Sequence, residues 1–185
     1  MNLLELMLSG QNQGQIQQLA RSFGIGEDQA QAAVSQMVPA LSQGIRRNIG
    51  SEAGLGSLLQ ALQKGGHQKY ADQPEILGER RTTDDGNAIL GHIFGSKEVS
   101  RQVADRTNAA TGLDSGLLKK MLPVVASMMM GSLSKQAAGA GLPGSGAVQA
   151  DAAGGLMATL SGFLDADKDG SVVDDLLGMA GKLFR

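Results

Sequence analysis

Three features of this 185-residue chain predict an all-α fold. Its candidate elements are rich in Ala, Leu, Met and Gln, which are favourable or neutral in helices. The β-branched and aromatic runs that mark strands are missing, with aromatics at 3%. Apolar residues fall at helical spacing in two stretches that align with each other. At 42% hydrophobic and 18% charged the composition is that of a folding chain, so the core has to be assembled from Leu, Met, Val, Ile and Ala. The length allows one domain or a domain with a small appendage.

The chain opens on LLELMLSG, a short apolar element closed by Gly10. Glu5 stands where a secretory leader would carry positive charge, so a cytoplasmic location is expected. IQQLARSFGIGEDQAQAAVSQ then reads as a helix-turn-helix, with Leu19, Phe23, Ile25, Ala30 and Ala33 at apolar sites and Gly24 at the turn. A DNA-recognition helix needs cations for the phosphates. Here the second helix opens with Glu27 and Asp28 and continues through Gln29 and Gln31, without Lys or Arg. The acidic pair suits the positive end of the helix dipole, so two packed helices are expected and nucleic acid is not an expected partner.

The aligned segments are QQLARSFGIGEDQAQAAVSQMVPAL from Gln17 and RQVADRTNAATGLDSGLLKKMLPVV from Arg101. Gln18, Ala20, Met37 and Pro39 recur as Gln102, Ala104, Met121 and Pro123, while the turn moves from Gly24 to Gly112 by about one helical turn. The reading is two tandem helical repeats with a partial third. Pro39 and Pro123 are expected near a helix start or at a kink. Between the repeats, residues 64–87 lack helical periodicity and contain Pro74, which predicts a long exposed connection. Leu117 to Leu133 is the most apolar stretch; Lys119, Lys120 and Pro123 interrupt it, so a buried central helix is expected rather than a membrane span. Met128 to Met130 within it fit core packing better than a binding groove.

The expected domains are a two-repeat helical domain at 1–136, a Gly/Ala/Ser-rich tether at 137–153 and a C-terminal helix–acidic loop–helix unit at 154–185. DDGNAILGHIFGSKE, TGLDSGLLKKMLPVVASMMMGSLSKQ and LDADKDGSVVDDLLGMAGKLF together resemble a bacterial helical family of unknown function whose members include YidB-like proteins. That resemblance implies a small all-α protein and brings no catalytic residues with it.

Few residues carry chemistry. Cys is absent, which removes disulfides, thiolate metal sites and a cysteine nucleophile. The net charge of −2 supplies no global field for polyanions. The pairs Arg46–Arg47 and Arg80–Arg81 read as solvated charge in connections. His67 and His92 are the only histidines, and His92, inside AILGHIFG, is expected to be hydrogen-bonded and partly buried. No carboxylate or Ser sits at motif spacing to orient His92, so no enzyme and no small-molecule substrate are expected, and a protein partner is.

In LDADKDGSVVDDLLG, Asp165, Asp167 and Asp169 fill positions 1, 3 and 5 of a calcium loop, followed by Gly170 and the carbonyl of Ser171. Position 12 is Leu176 instead of a bidentate Glu, leaving Asp175 as the substitute. Ser171 and Asp174 also read as a capping-box variant for the following helix. The expectation is a weak Ca²⁺ site at Asp165, Asp167, Asp169, Ser171 and Asp175, with an affinity of roughly 0.1–1 mM.

Overall fold

A computed structural model describes residues 3–49 and 66–139, with positions 54, 57 and 58 between them. The described residues are helical throughout and contain no strand. In order they form α1 (Leu3–Leu8), a 3₁₀ turn (Gly10–Asn12), α2 (Gln13–Phe23), α3 (Glu27–Ile49), α4 (Lys69–Asp72), a second 3₁₀ turn (Pro74–Gly78), α5 (Arg80–Phe94), α6 (Lys97–Thr111) and α7 (Ser115–Gly139).

α7 is the axis of the molecule. Every residue from Met121 to Ser134 is buried, Met128 and Met129 completely and Met130 to 3% exposure, so the methionine run is core. A helix apolar on all sides needs neighbours on all sides. Here α5, α6, α4, α3, α2 and α1 all pack against it. Among the described residues no helix is long and apolar enough to cross a membrane.

Local chemistry sets the element boundaries. Gly24 closes α2 at φ 65°, its N–H and that of Ile25 reaching back to Arg21 and Ala20 carbonyls. The Gln29 side chain then accepts from the Gly26 N–H at 3.0 Å, one half of a capping box at the start of α3. Gly112 closes α6 at φ 74°, and the Asp114 carboxylate accepts from the Leu117 N–H at 2.9 Å to open α7. α2 has 11 residues and α6 has 15, while Pro39 and Pro123 lie 12 and 8 residues beyond the starts of their helices.

Both prolines are therefore inside helices, not near their starts. Pro39 is exposed, where solvent can reach the carbonyl its ring leaves unbonded. Pro123 is buried against Gly86 of α5, where an added Cβ would stand 2.0 Å from the Pro123 carbonyl oxygen. The absent side chain lets the two backbones touch. One turn further along, Ser127 donates to the Thr82 carbonyl at 2.9 Å inside the same contact.

The expected exposed connection is structured over its described part. Tyr70 of α4 and Leu77 of the second 3₁₀ turn are each 1% exposed, and α5 begins at Arg80. Tertiary anchoring replaces periodicity: the Thr82 hydroxyl donates to the Ile76 carbonyl at 2.6 Å, and α4 lies so close to α7 that a Cβ on Gly131 would be 2.8 Å from the His67 carbonyl oxygen. α7 also runs three residues past the boundary read at 136. The remainder of the tether and the C-terminal unit lie outside the described residues.

Candidate docking cleft

The calcium-loop residues Asp165, Asp167, Asp169, Ser171 and Asp175 lie outside the described residues. Within them, no group of three or more His, Asp or Glu is placed to hold a metal ion. The α2–α3 pair has the expected turn, with Leu19, Ala30 and Ala33 buried and Phe23 and Ile25 partly so, while Glu27, Asp28, Gln29 and Gln31 face solvent. The arginine pairs sit on helix ends rather than in connections: Arg46 and Arg47 in the last turn of α3, Arg80 and Arg81 in the first turn of α5. His92 is exposed, not partly buried, because the buried stripe of α5 runs through Thr82, Gly86, Ile89, Leu90 and Ile93 and leaves position 92 outside. Its carbonyl accepts from the Asn48 side-chain amide of α3.

A polar cluster surrounds Tyr70. Its hydroxyl donates to Asp85, Lys69 lies 3.7 Å from the same carboxylate and 4.8 Å above the Tyr70 ring, and the His67 ring stacks on Tyr70 at a centroid distance of 6.0 Å. Burial, and then the hydrogen bond to Asp85, push the Tyr70 hydroxyl well above the usual phenol range. Burial pulls the half-buried His67 below its ordinary value, with Asp85 opposing and Lys69 adding to that shift. The phenol is held protonated as a donor and the carboxylate is occupied by two partners. The cluster thereby fastens α4 to α5, and its groups serve one another instead of converging on open space.

Open space lies on the other side of α5. The C-terminal turn of α5, the first turns of α6 and the Lys119–Pro123 stretch of α7 bound a cleft of about 620 Å³. Lys97, Arg101 and Lys119 line it together with Leu90 and Pro123, and no carboxylate does. Ser96 caps α6 at this edge by accepting from the Val99 N–H at 3.4 Å, so the positive end of that helix adds to the three cations. Two of the cations are ion-paired, across exposed surface, with carboxylates just outside the lining: Arg101 is 3.5 Å from Glu98 and Lys119 3.5 Å from Asp105. The Ser115 hydroxyl, and then Lys119, keep Asp105 below the usual carboxylate range. Gly91 and Gly95 form the α5 wall; a Cβ on Gly91 would meet nothing within 4 Å.

Sequence reading passed over this site. Lys97 and Arg101 are spaced i, i+4 and two glycines flank HIF, which places them on adjoining surfaces once both helices are drawn. Their juxtaposition with Lys119 depends on the packing of α6 against α7 and cannot be read from local spacing.

The pattern of a family described as bacterial protein of unknown function (DUF937) matches residues 5–136, most of the chain. The chain belongs to the DUF937 family. Neither a curated protein nor a solved structure matches it. The DUF937 region ends within the last turns of α7, so it contains all the walls of the cleft and the whole Tyr70 cluster.

Proposed function

We propose that this protein is a non-enzymatic, cytoplasmic interaction module, and that the cleft between α5, α6 and α7 is the surface with which it holds an acidic polypeptide segment. One observation carries this reading: three cations, no carboxylate and a bare helix backbone at Gly91 line the same cavity. A mid-helix Gly costs roughly 0.5–1 kcal/mol against Ala, and close approach of another chain to the backbone is one use that offsets the loss. Cations alone would also suit nucleic acid. Three of them on a protein of net charge −2, two near carboxylates, offer few phosphate contacts, which favours a peptide.

The α2–α3 and α6–α7 pairs support reading the module as two copies of one helix pair. Both close on a left-handed Gly, and the extra four residues of α6 are matched by the four fewer that precede Pro123 in α7. In that reading the first copy keeps an acidic leading end and the second has acquired the cationic cleft.

The test is affinity capture from bacterial cells with full-length wild type and Gly91→Leu as baits, followed by calorimetry on the purified partner. Leu adds an apolar side chain at an exposed position on the cleft wall, outside the core. A partner whose Kd rises at least tenfold with Gly91→Leu supports the proposal. Partners bound equally by both baits would contradict it.

A second reading rests on the alternation of Asp165, Asp167 and Asp169 before Gly170. Three carboxylates within five residues repel one another unless a cation intervenes. Weak Ca²⁺ binding there, completed by Ser171 and Asp175, would order a structural module and leave the cleft reading intact.

A further inference from the structure

We propose that the cleft of the free protein is occupied by the chain's own acidic segment, residues 164–178, so that an external partner has to displace it. The inference rests on the cleft being a docking surface, as argued above, and adds the identity of its resident.

Charge complementarity selects this segment. LDADKDGSVVDDLLG contains Asp165, Asp167, Asp169, Asp174 and Asp175 against a single Lys168, the densest acidic run in the sequence. Lys97, Arg101 and Lys119 line the cleft with no carboxylate among them. Val172, Val173, Leu176 and Leu177 supply apolar side chains for the wall at Gly91 and Leu90, where there is room beside the helix backbone.

Chain length permits the contact. The cleft borders α7 between Lys119 and Pro123, 16 to 20 residues before the helix ends at Gly139. At a rise of 1.5 Å per residue that is about 24–30 Å. From Gly139 to Asp165 the sequence provides 26 residues, about 39 Å even at the helical rise per residue, which is enough to reach back to the cleft. A connection long enough to span the two sites makes the contact intramolecular, at an effective concentration that reaches the order of millimolar for short linkers. A contact too weak to form between separate molecules would then persist within one.

The native chain has no Cys, so Ser171→Cys can carry a single nitroxide label in full-length, isotope-labelled protein. In calcium-free buffer the label should at least halve the amide intensities of Gly91, Gly95, Ser96 and Lys119. The effect should disappear in Gly91→Leu and in the double variant Lys97→Glu, Lys119→Glu. Unbroadened cleft amides in the labelled wild type would overturn the proposal. So would broadening of the same size when spin-labelled and isotope-labelled chains are separate molecules, because the occupant is then a second copy. Adding a synthetic peptide of residues 162–178 in trans distinguishes the two levels of failure. Shifted cleft amides without intrachain broadening would reject self-occupancy and keep the docking surface; no response to either would reject both.

Discussion

Gly86 and Gly91 stand in the same helix five residues apart and should respond oppositely to the same substitution. At Gly86 an added methyl meets the Pro123 backbone at 2.0 Å, and backbone cannot rotate away. Gly86→Ala should lower stability by about 1–3 kcal/mol, the usual cost of overpacking. At Gly91 the position is open, so Gly91→Ala should raise stability by about 0.5–1 kcal/mol through helix propensity alone. Urea unfolding of the two variants beside wild type checks both signs. His67 supplies a pH effect. Its folded value lies below the ordinary 6.5 because of burial, so the unfolded chain binds more protons as pH falls through 6.5. Stability should be undiminished by His67 above that pH and decline below it until the folded value is passed. Wild type should therefore lose more stability than His67→Gln between pH 7.5 and pH 5.

Helix α5 shows where sequence reading stopped and why. Its buried stripe is Thr82, Gly86, Ile89, Leu90 and Ile93, with correct helical spacing, yet the first two members are not apolar. They are small because they lie against Pro123 and Ser127, and that requirement comes from α7. α4 was illegible for a related reason: one turn fixed by Tyr70 contains no period to detect. By contrast, α2, α3, α6 and α7 were legible, since their apolar residues recur along whole helices between recognisable Gly turns. The cleft combines residues from three helices and was legible in none of them. For α7, complete burial of Met128 predicts a loss of about 2–5 kcal/mol for Met128→Ala and under about 1.5 kcal/mol for Met128→Leu, which conserves volume. Thermal unfolding of the pair checks whether the methionine run is core, as its burial implies.

For the molecule as a whole, the residues of the calcium proposal follow the helical body in sequence, so Asp169→Ala changes no residue of that body. Calorimetry at millimolar Ca²⁺ should give heat that is lost in Asp169→Ala, with the far-UV spectrum of the variant unchanged over its helical bands. Heat that survives Asp169→Ala would leave the capped-helix reading of Ser171 and Asp174. The cleft makes the more specific demand, because electrostatic occupancy has to weaken as salt screens it. The most direct measurement is an amide-shift titration of the full-length protein from low to 0.5 M NaCl. Gly91, Gly95, Ser96 and Lys119 should shift together in wild type, and Gly95, Ser96 and Lys119 much less in Gly91→Leu. The same response in both proteins, or no collective response in either, would contradict electrostatic occupancy of the cleft.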